Sequence, residues 1–107
     1  MIARVWRGYT TPENAGAYEA MLKPELLPGI GKVPGYRGSY LLRRETGPEV
    51  EFITMLWFES LEKVKSFAGE NYAKPVISEK ARALLARYVD HAEHYELAGS
   101  SEPGFTR

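Results

Sequence analysis

The clearest structural signal in this 107-residue sequence is the stretch FITMLWF at residues 52–58. Aromatic and β-branched residues dominate it, which is typical of a β-strand. A strand with one solvated face alternates apolar and polar residues, but here both alternating sets are apolar. The pattern predicts a strand covered on both faces, one of them by helices of the same chain.

The segments around this strand predict an antiparallel sheet. Residues 36–45 and 49–58 are two strand patterns separated by the turn Thr46-Gly47-Pro48, which favours a hairpin. Residues 2–9 are rich in β-branched and aromatic side chains and predict the first strand, and residues 90–97 predict the last.

Capping residues predict where the helices begin and end. Thr11-Pro12 is a helix start, and Lys23-Pro24 is expected to kink or end that helix. Ser60 is expected to cap a short helix that ends at Gly69. Ser78 is expected to cap a further helix, whose apolar stripe continues to residue 88.

The order strand, helix, strand, strand, helices, strand is the ferredoxin-like split βαβ pattern of an α+β protein. It predicts a four-stranded antiparallel sheet with helices on one face, in one domain at residues 1–97, and a flexible C-terminal tail at residues 98–107. The second apolar face of the third strand then has no cover within the chain. We therefore expect a homodimer in which two sheets pack face to face.

Composition excludes several classes of function. Fourteen Lys and Arg balance fourteen Asp and Glu, so the basic surface of a nucleic-acid-binding protein is missing. The sequence has no cysteine, which excludes disulfides, thiol catalysis and cysteine-ligated metals. No stretch suits a membrane span or a signal peptide, so we expect a cytoplasmic protein with no membrane contact.

Few residues offer familiar catalytic chemistry. The glycine-rich phosphate loops and the GxSxG motif are missing. His91 and His94 are the only histidines, and three residues apart on a strand they point to opposite faces, so no metal site is expected. His94 lies deeper in the predicted strand and is the better candidate for moving a proton near neutral pH.

Aromatic and cationic side chains indicate a ligand cavity. Trp57 ends the third strand and Tyr72 lies in the break between helices, so both are expected to frame a cavity between sheet and helices. Arg7 on the first strand, or Arg43 or Arg44 on the second, is a candidate for holding an anionic or phenolate substrate. The alternative for each is an ordinary core, interface or surface position.

Four segments carry a family resemblance: IARVWRG at residues 2–8, FITMLW at 52–57 followed by ESLE at 59–62, FAG at 67–69 and HYE at 94–96. Together they resemble the antibiotic biosynthesis monooxygenase-like family of dimeric α+β barrels. The resemblance covers about residues 1–97. It implies a homodimer with a ligand cavity between the sheet and the helices of each protomer.

In monooxygenase members of that family, O₂ oxidises an electron-rich aromatic anion without a metal, flavin or other cofactor. The resemblance therefore implies no cofactor, and it places Trp57 in the pocket wall. Trp6 or Arg7 lies where the heme-degrading branch has a functional asparagine. Ile77 lies near the position of that branch's heme-ligating histidine, and an isoleucine cannot bind iron.

Three functions are compatible with these residues. The first is a cofactor-independent monooxygenase acting on a small aromatic or polyphenolic metabolite, with Trp57, Tyr72 and Trp6 shaping the pocket and His94 or Arg7 handling the phenolate. The second is a noncatalytic dimer that binds a small ligand. The third is a cyclase, isomerase or weak heme-degrading reaction in the same pocket.

Overall fold

The computed structural model of the chain describes residues 1–26 and 33–101. Its strands and helices follow the predicted order, with the last strand in two pieces. In chain order they are β1 (Ile2–Thr10), α1 (Pro12–Leu26), β2 (Tyr36–Glu45), β3 (Val50–Phe58), α2 (Leu61–Ala68), α3 (Glu79–Leu84), β4 (Arg87–Tyr88) and β5 (Glu93–Glu96).

All strand pairs are antiparallel, in the order β2-β3-β1, and both β4 and β5 pair with the other edge of β1. The register of β1 on β3 runs from Ile2 opposite Phe58 to Thr10 opposite Val50. Since side chains alternate along a strand, this register assigns every residue of β1 and β3 to one of two faces.

The last strand is interrupted because α3 ends early. The backbone N–H of Leu85 closes the helix on the Ala81 carbonyl, and Leu85 itself is extended. The next residues rejoin the sheet, where Ala86 donates to the Tyr9 carbonyl and Val89 donates to the Arg7 carbonyl. The predicted stripe through residue 88 therefore gives way to β4, and β5 falls within the predicted strand at 90–97.

The predicted caps are present. Ser60 Oγ accepts from the backbone N–H of Lys63, and Ser78 Oγ accepts from that of Ala81. Gly69 follows α2 with φ 90°, a conformation that favours glycine. The first helix does not end at Lys23-Pro24, one of the two outcomes expected there, because α1 continues through Pro24 to Leu26.

The helices pack on one face of the sheet. The largest fully buried apolar side chains come from α1, β3 and α2, and they are Tyr18, Phe52, Phe58 and Val64. Fully burying an apolar side chain of this size stabilises the fold by roughly 1.5–3 kcal/mol. The fold class is confirmed: an α+β protein with an antiparallel sheet and helices on one face.

The opposite face of the sheet, which we call the second face, has an apolar patch that is partly exposed. It carries Ile53, Met55 and Trp57 of β3, together with Tyr40 and Leu42 of β2. Tyr40 is 50% exposed and Leu42 is 46% exposed. Ala3 and Val5 of β1 and Glu51 of β3 lie on the same face and are buried.

Two further expectations concern the C-terminal tail and membrane-spanning helices. Residues 98–101 form no helix or strand, and the rest of the predicted tail lies outside the described residues. Within the described part of the chain, none of the helices has the length and apolar character required to cross a bilayer.

Candidate functional site

A cavity of about 270 Å³ lies between the sheet and the helices. Most of its wall is apolar and comes from β1, α1, β3, α2 and the segment around α3, including Trp6, Leu22, Leu56, Phe67, Ile77 and Ala81. For scale, an engineered apolar cavity of roughly 150 Å³ holds benzene. The space therefore suits a molecule of more than one aromatic ring.

The charged group deep in this cavity is the guanidinium of Arg4. The residue lies in the middle of β1 and is only 4% exposed. One guanidinium nitrogen, Nη1, donates to the backbone carbonyl of Tyr72, and Nη2 donates to that of Lys74 at 3.0 Å. The ring of Phe67 lies below, 5.7 Å from the guanidinium carbon.

No carboxylate of the described residues lies within 4.0 Å of the Arg4 guanidinium. Burial lowers the pKa of Arg4, yet arginine keeps its proton in proteins. Buried charges are normally paired, because removal from water costs several kcal/mol per ion. Arg4 thus presents a positive charge, without a carboxylate partner among the described residues, to a mostly apolar cavity.

His94 lies beside this charge. It stands opposite Arg4 in the β1–β5 register, and its Nε2 is 3.0 Å from Nη1 of Arg4. Because a guanidinium has no acceptor, Nε2 must accept, so His94 is neutral with its proton on Nδ1. Burial, followed by the charge of Arg4, lowers the pKa of His94 and favours this neutral form.

Tyr72 contacts both Arg4 and His94. Its ring meets His94 edge to face at 5.0 Å between centroids, while its carbonyl accepts from Arg4. The side chain does not line the cavity. Tyr72 therefore supports Arg4 and His94 and, contrary to the prediction, does not form part of the cavity wall.

Trp6 forms part of the cavity wall. It follows Arg4 on the same face of β1, opposite Thr54 of β3. Its indole Nε1 donates to the Val89 carbonyl at 2.6 Å, which holds the ring against the sheet edge. The structure thus places Trp6 where a ligand would contact it.

Arg7 and Trp57 do not line the cavity, because strand alternation turns both to the second face. Arg7 lies between two carboxylates, 3.2 Å from Glu93 and 4.0 Å from Glu51. Trp57 borders a shallow depression with Tyr40. The expectation that these two residues shape the pocket does not hold within this protomer.

The other arginine candidates are ion-paired outside the cavity. Arg43 contacts Glu19 at 2.9 Å, and Arg44 contacts Glu51 at 2.6 Å. Sequence reasoning therefore missed Arg4. The available signal was its position two residues from Trp6, which puts both side chains on one face of the strand.

Three solved structures share this architecture over nearly the whole chain. A candidate antibiotic biosynthesis monooxygenase from Bacillus cereus has a TM-score of 0.63 at 16% identity, covering 95% of this chain and 97% of its own. The heme degrader MhuD from Mycobacterium tuberculosis, solved with two hemes bound in its active site, has a TM-score of 0.61 at 17% identity, covering 95% and 100%. A candidate antibiotic biosynthesis monooxygenase from Chloroflexus aurantiacus has a TM-score of 0.60 at 19% identity, covering 96% and 98%.

The chain has the antibiotic biosynthesis monooxygenase fold. At these sequence identities the structural similarity establishes the fold alone, and the activity has to be inferred from the residues of the site. No family model matches the sequence, and no curated protein matches it either.

MhuD, which shares this fold, binds heme in its active site, but the described residues that line the cavity of the present chain include no suitable iron ligand. Among the described lining residues there is no histidine, cysteine or methionine, and Ile77 forms part of the wall. Tyr18 is the remaining common heme ligand, but burial, followed by the charge of Glu25, raises its pKa to about 12. Tyr18 therefore keeps its proton, and the residues present do not fit a heme iron.

Metal ligands are also dispersed. Among residues 1–26 and 33–101, no three His, Asp or Glu side chains converge on one point. His91 is exposed and contacts its neighbour Asp90 at 3.1 Å, whereas His94 faces Arg4. The two histidines thus lie in different environments, and His91 precedes β5 instead of lying on the strand as predicted.

Proposed function

We propose that this protein is a cofactor-independent monooxygenase that oxidises a small aromatic or polyphenolic compound with O₂. One observation carries the proposal: the buried guanidinium of Arg4 faces a mostly apolar cavity without a carboxylate partner among the described residues. The fold shared with antibiotic biosynthesis monooxygenase structures supports the same reaction class.

Arg4 supplies what such a reaction needs first, a stabilised substrate anion. A phenolate or enolate oxygen next to the guanidinium gains a charge-assisted hydrogen bond in a medium of low polarity. This lowers the pKa of the bound substrate, so that the anion, which is the electron-rich form, predominates. The released proton passes to water at the outer end of the cavity, where the exposed Glu25 lies.

The chemistry balances without another reductant when the substrate has an activated methylene. The anion transfers one electron to O₂, and the resulting pair of radicals forms a carbon–oxygen bond. The peroxide then gains a proton and loses water, leaving a carbonyl. The methylene carbon loses four electrons, one oxygen atom enters the product and the other becomes water.

The remaining residues position the anion and exclude water. His94 accepts from Arg4, so we assign it as a positioning residue for the guanidinium and not as the base predicted from sequence. Tyr72 supports both of these residues. Trp6 and its apolar neighbours shield the reacting carbon from bulk water, which strengthens the electrostatic effect of Arg4.

We also propose that the functional unit is a homodimer formed by the second face. Its exposed apolar side chains supply the desolvation energy for two sheets to pack together. Trp57 belongs to this interface in the proposal. The dimer would leave the cavity of each protomer open at the helical side.

The first test compares Arg4→Met with wild type in an oxygen-uptake assay, using anthrone as substrate. We expect kcat/KM to fall by about 10²-fold or more, since a donor aimed at developing negative charge typically contributes that much. Arg7→Met is the matched control, because it removes an arginine from the same strand on the opposite face. It should retain nearly full activity, once light scattering shows that its mass equals that of wild type.

Two results would contradict the oxidation proposal. One is anthrone binding without oxygen uptake by the wild type, which would favour the noncatalytic ligand-binding function. The other is equal loss of activity in both variants, which would mean that the Arg4 charge has no special role.

A further inference from the structure

Tyr18 is a core residue whose ring also lines the cavity. It lies on α1, is 1% exposed, and its ring packs on Phe52 at 4.9 Å between centroids. None of the described residues accepts a hydrogen bond from its hydroxyl. Buried tyrosine hydroxyls usually find a partner, so this donor calls for an acceptor from outside the protein.

The Tyr18 hydroxyl also stays within reach of the cavity. In the described part of the chain, Thr10 Oγ1 is the side-chain polar atom that is both sealed from solvent and without a partner. The Tyr18 hydroxyl also lacks a partner among the described residues, but it is not completely sealed, although the residue as a whole is buried. Its small accessible part therefore faces the cavity that it lines.

Arg4 and Tyr18 mark opposite ends of the cavity floor. Arg4 stands opposite Leu56 in the sheet, whereas Tyr18 packs on Phe52 of the same strand. Four residue steps along the extended strand lead from Phe52 to Leu56, a distance of about 13 Å. Between them the floor is formed by Thr54 and Trp6.

We propose that the substrate is an elongated aromatic of roughly two or three fused rings with an oxygen at each end. Its anionic oxygen accepts from Arg4, and a neutral carbonyl oxygen at the other end accepts from the Tyr18 hydroxyl. This inference rests on the proposed function, since it identifies the substrate class of the same cavity. Tyr18 acts as a specificity-determining residue: rings that lack the second oxygen, such as anthrone, still bind, but more weakly.

The neutral state of Tyr18 suits this role. Burial, followed by the charge of Glu25, raises the pKa of Tyr18 to about 12, so the hydroxyl remains a donor at physiological pH. A tyrosinate would repel the anionic substrate, whereas the protonated phenol offers its hydrogen to a carbonyl.

The experiment measures binding of two naphthols to wild type and to Tyr18→Phe by calorimetry. The probes are 6-acetyl-2-naphthol, which has a carbonyl at its far end, and 6-isopropyl-2-naphthol, which has the same shape there without the oxygen. The ratio of Kd between the two proteins is taken for each probe, so their different acidities cancel. We expect Tyr18→Phe to weaken binding of the acetyl probe about 3- to 10-fold, as for one hydrogen bond, and to leave the isopropyl probe within about 2-fold.

A thermal melt completes the experiment. Because the hydroxyl has no partner among the described residues, Tyr18→Phe should melt at the same temperature as wild type or higher. A clear fall in melting temperature would show a structural hydrogen bond and overturn the proposal. Equal weakening of both probes, weakening of neither, or failure of the acetyl probe to bind wild type would also overturn it.

The oxidation proposal and the Tyr18 specificity proposal can be refuted independently of each other. If the acetyl probe shows the expected Tyr18 dependence and anthrone binds without oxygen uptake, the specificity proposal stands and the oxidation proposal is wrong. If oxygen uptake depends on Arg4 but the probes do not respond to Tyr18→Phe, the reaction stands and the specificity proposal is wrong.

Discussion

At the scale of single residues, the face of the sheet to which a side chain points decides its surroundings more than its amino-acid type does. Arg4 and Arg7 are the same amino acid three positions apart on one strand, so they point to opposite faces. Arg7 meets two carboxylates on the second face, while Arg4 meets carbonyls and a histidine beside the cavity. Strand register is therefore the reason that the buried charge of Arg4 has no carboxylate partner among the described residues.

The pairing of His94 with Arg4 predicts a pH dependence of stability. The pKa of His94 is lowered from its ordinary value of 6.5, so below about pH 6.5 the unfolded chain binds a proton that the folded chain does not. Stability contributed by the neutral imidazole should be lost as pH falls from about 6.5 through the lowered folded pKa, and then level off. The urea midpoint measured from pH 7 to pH 4.5 reports this loss.

Replacing either histidine separates this effect from general acid denaturation. His94→Gln removes the titrating group and should flatten the pH dependence in that window. His91→Gln alters an exposed histidine that contacts Asp90, and it should follow the wild-type curve. The prediction is wrong if both variants lose the same slope.

At the scale of elements, local signals account for most boundaries. Ser60, Gly69 and Ser78 lie at the helix ends that their chemistry predicts. Pro24 is the exception, because α1 continues past it to Leu26. Leu22 and Leu26 are both 8% exposed and anchor the last turn to the core, so tertiary packing outweighs the missing N–H of proline.

The approach to β2 gives an element-level prediction at Gly35. Its φ of 79° is in the left-handed region, and an added Cβ would lie 2.6 Å from Cβ of Lys63. Gly35→Ala should therefore lower the free energy of unfolding by about 1–3 kcal/mol. Chemical denaturation measures the change.

Gly16 provides the matched control for this substitution. It lies on the exposed side of α1, where an added Cβ would meet nothing within 4 Å. Gly16→Ala should raise the free energy of unfolding by about 0.5–1 kcal/mol through helix propensity. If Gly35→Ala proves as harmless as Gly16→Ala, the close contact with Lys63 does not constrain this turn.

At the scale of the whole molecule, the two faces of the sheet have different surroundings. One face and the helices enclose the cavity, while the second face exposes apolar side chains from β2 and β5, with Tyr95 52% exposed. Open apolar patches of this kind mark interaction sites, and a second copy offers a matching sheet.

Leu42→Lys tests the proposed dimer at the second face. A buried, unpaired lysine at the sheet–sheet contact should shift the mass in sedimentation from double the 12.1 kDa chain mass to the single value. Leu61→Lys is the control, since Leu61 is 37% exposed but lies on α2. A wild-type mass of one chain at micromolar concentration would remove the dimer proposal.

The sequence by itself determined the α+β order, the hairpin, the helix caps and the doubly apolar third strand, because turn chemistry and strand periodicity act over a few neighbouring residues. Trp6 and His94 were also recognised from sequence as site candidates. Only the tertiary structure decided their neighbours. The register of β1 with β3 and β5 placed Arg4 beside His94 and turned Arg7 and Trp57 to the other face. The packing of α1 on β3 brought Tyr18 to the cavity. These pairings join residues up to 90 positions apart, and no local pattern encodes them.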